Sequence, residues 1–296
     1  MTKRIGKDRF YWNGTRYVPS GTTVLPRPDL KQWAADCAVD YVENVWDNEK
    51  YTSQWLLEGD FLKARTAYQR KGMEAAHYGT FIHWMCQRYL ETGEPEPIPA
   101  EFTITEDDGE TCVIQIDVEL TKKFMEGFSY KTKGGKIKYT DGFYNWCKVH
   151  NVKPIAIEHK VTTDLYGGRL DLVCEMDGVV TLVDFKTGKG TYYDTWPLQL
   201  AGYRNGWNSG VMNLAYNFDY IKIHGSLACK IQAHGILKFN KANGKINYKD
   251  FSSYERTRTN PETLEKEKYE RNYETDLKTF MACCQLWWLV NRGMDK

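Results

Sequence analysis

Asp171, Asp184 and Lys186 lie on either side of Asp177-Gly178, in the run Gly168-Arg169-Leu170-Asp171-Leu172-Val173-Cys174-Glu175-Met176-Asp177-Gly178-Val179-Val180-Thr181-Leu182-Val183-Asp184-Phe185-Lys186. Asp-Gly between two stretches rich in Val, Leu and Phe reads as a two-residue hairpin turn. Met176 then pairs with Val179, and counting outward sets Asp171 opposite Asp184 and Arg169 opposite Lys186. Side chains alternate along strands. Asp171, Asp184 and Lys186 are therefore expected on one face with Val173 and Leu182, and Leu170, Leu172, Cys174, Val183 and Phe185 on the other.

Directly opposed residues hold their Cβ atoms about 4.5–5.5 Å apart. Two carboxylates at that distance repel, and burial makes ionisation costly. A divalent cation between them turns the repulsion into coordination. Carboxylate oxygens with water suit magnesium or manganese. Lys186 could then hold the attacking water and offset charge on a phosphate. The bland alternative is a structural cluster in which either aspartate pairs with Arg169 or Lys186.

Several elements must position this hairpin. Phe10-Tyr11-Trp12 and Thr15-Arg16-Tyr17-Val18 flank Asn13-Gly14 as an opening hairpin. Helical spacing begins near Asp29, with Leu30, Trp33, Cys37, Ala38, Tyr41 and Val45, and returns over Ser53–Arg70 and Gly79–Glu91, where Gly93 is the stop. Residues 94–111, with the acidic Glu106-Asp107-Asp108, read as a surface loop holding a short strand. Asp117–Phe128 reads as a helix, Lys131–Lys138 as a mobile glycine- and lysine-rich segment, and a further helix ends near His150. Pro154–Val161, Arg169–Glu175 and Val179–Phe185 are expected strands, followed by a helix over Pro197–Asn208. Two or three strands are expected between Tyr216 and Tyr248, with a turn at Asn243-Gly244. A long last helix is expected to start at Asn260-Pro261, with Tyr273, Leu277, Phe280, Met281, Cys284, Trp287 and Trp288 as its core stripe.

The 296 residues carry a net charge of +1, so any nucleic-acid contact must use local basic patches. Lys122, Lys123, Lys131, Lys133, Lys136 and Lys138 offer one, either as phosphate contacts or as a solvated face. The eight cysteines form no C-x-x-C pair, which argues against a zinc site and suits a reducing cytoplasm. No signal-like start and no run of about 18 apolar residues is present, so no membrane partner is expected. The economical architecture is a single α/β domain over 1–296.

The chain resembles the PD-(D/E)XK nuclease superfamily, specifically its RecB-like exonuclease branch. The matching residues are Gly168-Arg169-Leu170-Asp171, Asp184-Phe185-Lys186, and Gln199 with Tyr203 four positions on. Gly79-Thr80-Phe81-Ile82-His83, in a helix ending at Tyr89-Leu90-Glu91-Thr92-Gly93, fits the branch's upstream helix. Leu170 stands where the family name has proline. The resemblance covers residues 72–240 and implies a restriction-endonuclease-like core, a central mixed β-sheet flanked by helices, with N-terminal (1–71) and C-terminal (241–296) elaborations. It implies Mg2+ or Mn2+ ligation by His83, Asp171, Asp184 and the Phe185 main-chain oxygen, with His77 as the fallback histidine. Gln199 and Tyr203 would contact nucleic acid or fix the catalytic groups, and Arg169 and Lys189 would meet nucleic acid. Glu158 would reach the metal or pair with Lys160. Only Cys283 and Cys284 lie near the end, so no iron–sulfur cluster is expected.

The expected activity is metal-dependent DNA exonucleolysis in phage or bacterial recombination, repair or replication. The alternatives are a structure-specific or restriction-type endonuclease using the same site, and a catalytically silent DNA-binding relative. No phosphate-binding G-x-x-x-x-G-K-[ST] loop occurs, so a helicase, or a single-strand annealing protein, would be a separate partner. The expected location is the cytoplasm, that of the host if phage-encoded, and the oligomeric state stays open.

Overall fold

The computed structural model describes residues 2–6, 8–26, 31–47, 58–105, 111–188, 195–209, 229–260 and 262–291. In chain order the elements begin with β1 (Thr2–Ile5), β2 (Asp8–Trp12), β3 (Tyr17–Pro19), α1 (Lys31–Asp47), α2 (Glu58–Thr92), β4 (Glu101–Thr105), β5 (Thr111–Gln115), α3 (Val118–Glu126), β6 (Gly127–Lys131) and β7 (Ile137–Asp141). They continue with α4 (Phe143–Val149), β8 (Lys153–Thr162), β9 (Gly167–Met176), β10 (Val179–Gly188), α5 (Thr195–Asn208), β11 (Ala233–Asn240), β12 (Lys245–Asp250), β13 (Ser253–Thr259), β14 (Lys266–Asn272) and α6 (Tyr273–Val290). The chain is mixed α/β and forms two compact units. One comprises Arg27–Ile82 and Ala100–Ile116; the other comprises Met1–Pro26, His83–Pro99 and Asp117–Lys296.

The smaller unit holds α1, α2 up to Ile82 and the β4–β5 hairpin. The two helices expected over Ser53–Arg70 and Gly79–Glu91 are one helix of 35 residues, from Glu58 to Thr92. A glycine inside a helix costs about 1 kcal/mol relative to alanine, and without a proline Gly72 and Gly79 do not break it. The expected acidic cluster at 106–108 and the helix start at Asp29 lie outside the described residues.

The larger unit is built on a five-stranded sheet of order β12-β11-β10-β9-β8. β10 and β11 run parallel, joined through α5, and the other neighbours are antiparallel. α5 covers one face, where Leu200, Tyr203 and Trp207 join Leu170, Val173, Val180, Leu182 and Ile236 in a buried cluster. The opposite face is aromatic: Phe143 lies 5.7 Å from Phe185 and 6.1 Å from Phe239, and Phe124 5.5 Å from Phe239. α6 packs behind α5, where a Cβ on Gly202 would sit only 2.5 Å from the Phe280 ring.

Three local differences from the sequence reading have identifiable causes. The opening turn spans Asn13–Arg16, because Asn13 accepts from the N–H groups of both Thr15 and Arg16 and Trp12 pairs with Tyr17. The segment over Lys131–Lys138 is the end of the β6–β7 ribbon. α6 starts at Tyr273 instead of Asn260, since Asn272 and Thr275 form a reciprocal capping box. Asn260 does accept backbone N–H groups, from Glu262 and Thr263, but uses them to close the β13–β14 hairpin. Phe280 and Cys284 of the expected stripe are buried, with Met281 and Trp287 packed at the edge of their cluster.

Candidate functional site

Asp177 and Gly178 both take positive φ, 51° and 81°, and form the two-residue turn of the β9–β10 hairpin. Met176 pairs with Val179 as the turn requires, and the ladder runs as far as Leu172 with Val183. Asp171 and Asp184 are the next positions outward. Among the described residues β9 then continues beside β8 and β10 beside β11, so the two strands part at the aspartates. Asp171 fills the opening: its Oδ2 accepts the Phe185 N–H at 2.6 Å.

Strict alternation does not survive this point. Leu170 and Val173 are three apart yet share the cluster under α5, so the parity of β9 shifts between them. Leu170 therefore belongs with Val173 and Leu182, which corrects the expected face assignment, and Arg169 pairs with Lys160 across β8.

The fork gathers charge. His83, at the C-terminal part of α2, points Nδ1 at Asp171 Oδ1 (3.6 Å) and Glu158 Oε1 (3.7 Å). Its Nε2 lies 3.0 Å from the Phe185 carbonyl oxygen. If Nε2 carries the proton and donates to that carbonyl, the neutral ring leaves Nδ1 as a bare donor atom facing the two carboxylates. His83, Glu158 and Asp171 each offer one ligand atom within 4.8 Å of the others. Glu158 reaches this position from β8 with φ 50, a left-handed conformation that costs a non-glycine residue about 1–2 kcal/mol. Its other oxygen meets Arg169 Nε at 2.7 Å. Asp184 sits beside them, with Lys186 Nζ 2.7 Å from its Oδ2.

The protonation equilibria record the crowding. Burial, opposed by His83 and assisted by Asp184 and Glu158, lifts Asp171 to about 7. Burial works against a charge on His83, but Asp171, Glu158 and Asp184 outweigh it and its pKa is raised. Lys186 follows the same pattern, with Asp184 and Asp171 overcoming desolvation, so it holds its proton firmly.

This donor set fits a hard divalent cation. It offers one imidazole nitrogen and several carboxylate oxygens: Glu158 Oε1 and Asp171 Oδ1 face His83 Nδ1, while Glu158 Oε2 and Asp184 Oδ2 are engaged by Arg169 and Lys186.

The remaining expected residues fall as follows. Gln199 and Tyr203 are buried, 7% and 5% exposed, and hydrogen-bond to each other on α5. The Tyr203 ring packs against Gly168, where any Cβ would overlap it. The glycine three residues before Asp171 thus has a packing cause. Arg169 is half exposed at the rim. Lys189 lies outside the described residues. His77 belongs to the smaller unit and contacts Cys112. Lys238 was not foreseen: it is the register neighbour of Lys186 on β11 and is 6% exposed, with burial pushing its pKa down. A lysine inside the apolar run Gly235-Ile236-Leu237-Lys238-Phe239 was the available signal. No family model matches the chain, and no curated protein matches it.

Proposed function

We propose that this chain is a metal-dependent deoxyribonuclease of the PD-(D/E)XK kind, acting as an exonuclease in recombination, repair or replication. The observation that carries the reading is the convergence of His83, Glu158 and Asp171 at the fork where Asp184 and Lys186 emerge. Arg169 pairs with Glu158 and Lys186 with Asp184, while Asp171 Oδ1, Glu158 Oε1 and His83 Nδ1 turn toward one another, the arrangement a shared cation would hold.

His83 Nδ1, Glu158, Asp171 and Asp184 would hold Mg2+ or Mn2+. When bound, such an ion neutralises the carboxylates, lowers the pKa of water and stabilises charge on a phosphate. The protein's own groups set the rest. Lys186 stays protonated, so its role is to orient water and offset phosphate charge rather than to take a proton. Arg169 positions Glu158 and is exposed enough to meet a phosphate at the rim. Tyr203 acts from beneath, packing on Gly168 of β9 so that Asp171 stays at the fork, with Gln199 beside it on α5.

Linear duplex, single-stranded and closed circular DNA incubated with Mg2+, Mn2+ or chelator test this directly. Metal-dependent loss of linear DNA alone is the expected result. Cutting of circles would move the assignment to an endonuclease with the same site. No cutting with any metal would leave a DNA-binding relative.

A further inference from the structure

The β6–β7 ribbon ends in a tight turn in which the Thr132 N–H donates to Lys136 O and the Gly135 N–H to Thr132 O, both at 2.9 Å. Gly135 supplies the positive φ, 77°, that this turn needs. Pairing of Ser129 with Tyr139 and of Lys131 with Ile137 sets these four residues on one face. All four are exposed, Tyr139 at 82% and Ile137 at 59%. Lys133, Lys136 and Lys138 are exposed as well. Over residues 127–141 there are four lysines and a single acid, Asp141, in a chain whose net charge is only +1.

Lysines on an exposed ribbon are ordinary, because they block edge-to-edge pairing. An exposed tyrosine and isoleucine on one face do the opposite, and beside the lysines they suit a ligand with both negative charge and flat apolar faces. Nucleic acid has that chemistry. A ring face is open to stacking only by an unpaired base, which selects a single strand over a duplex. The ribbon also adjoins the sheet that carries the site: β12 pairs with β11 and β11 with β10, and Lys245 Nζ at the start of β12 lies 4.1 Å from the Tyr130 ring, on the ribbon face opposite Tyr139.

We propose that the Ser129/Lys131/Ile137/Tyr139 face of this ribbon binds single-stranded nucleic acid, with Tyr139 stacking on a base and Lys131, Lys133 and Lys136 meeting phosphates. The identity of the polymer rests on the nuclease reading. The test is fluorescence anisotropy of a labelled oligothymidylate on the full chain in chelator, where no cutting can occur. Tyr139→Ala is expected to weaken binding about tenfold. The triple variant Lys131→Gln/Lys133→Gln/Lys136→Gln is expected to flatten the slope of log affinity against log salt by about 2. All these positions are exposed, so unchanged thermal melting will confirm intact folding. Wild-type affinity and slope in both variants would overturn the proposal, as would tighter binding of a blunt duplex that neither variant weakens. Hydrolysis of a small phosphodiester, bis(4-nitrophenyl) phosphate, should be equal in wild type and both variants. That readout separates the two claims: absent hydrolysis with intact strand binding counts against the nuclease reading alone, and hydrolysis with hairpin-independent binding counts against this proposal alone.

Discussion

Asp171 serves two partners at once. One oxygen accepts the Phe185 N–H and the other faces His83. An asparagine can keep the first contact and remove the charge. Asp171→Asn is therefore expected to melt in chelator at or above the wild-type temperature, because a repelling buried charge has gone. Mn2+ at a hundredfold excess over its Kd should stabilise the wild type by about 3 kcal/mol. The variant should show no such gain by differential scanning calorimetry, and equal stabilisation of both would show that the ion binds elsewhere. At this scale the sequence was partly legible. The nearness of Asp171 and Asp184 follows from a local turn, two residues long, whose register is fixed by chemistry, but the ladder ends one pair short of them, at Leu172 and Val183, so the expected pairs Asp171–Asp184 and Arg169–Lys186 do not form. The Glu158–Arg169 ion pair was not legible, because it depends on the β8–β9 register and on a left-handed φ at Glu158. Neither leaves a short-range mark.

At the scale of elements, α5 holds the site from behind, through the ring of Tyr203 on Gly168. Gly168→Ala is expected to cost about 1–3 kcal/mol through overpacking and to lower activity by displacing β9. Adding Tyr203→Leu should recover part of the stability, measured by urea unfolding. A Gly168→Ala protein as stable as wild type would mean that the contact is not tight. Asn272→Ala should destabilise α6 by about 1 kcal/mol through loss of its capping box, whereas Asn260→Ala should leave the helix content by circular dichroism unchanged. These two asparagines show why element boundaries were harder to read than element types. Both accept from following backbone N–H groups, and only the strand pairing of 253–259 with 266–272 decides which one starts the helix. The continuous α2 was misread for a related reason: glycine lowers helix propensity without forbidding the helix.

At the scale of the whole molecule, buried histidines link stability to pH. His234 is fully buried, with Nδ1 3.4 Å from Arg204 Nη1, and burial together with Arg204 pushes its pKa down to about 3. Burial also lowers His159. In the unfolded chain a histidine titrates near 6.5, so between that value and about 3 the unfolded state takes up a proton that folded His234 refuses. The contribution of His234 is thus full above about pH 6.5 and falls as the pH drops below it, by about 2 kcal/mol at pH 5, opposite in sign to the contributions of Asp171 and His83, whose pKa values are raised. His234→Gln should flatten this fall, seen as a smaller difference between melting temperatures at pH 7 and pH 5. An undiminished difference would place the acid sensitivity elsewhere. The five-stranded sheet and its flanking helices were legible from the change of hydrophobic period after His150. The division into two compact units was not, since neither a linker nor a shift in composition marks its borders.

Hydrolysis of phosphodiesters at the fork of Asp171 and Asp184 with a divalent cation is tested by single-turnover cleavage of end-labelled linear DNA by wild type, Asp184→Asn and Glu158→Gln, in Mn2+ and in chelator. Cleavage by the wild type only with metal, slowed about a thousandfold in Asp184→Asn while its strand binding in chelator is retained, is the expected result. Cleavage by Asp184→Asn at the wild-type rate, or wild-type cleavage undiminished by chelator, would contradict it.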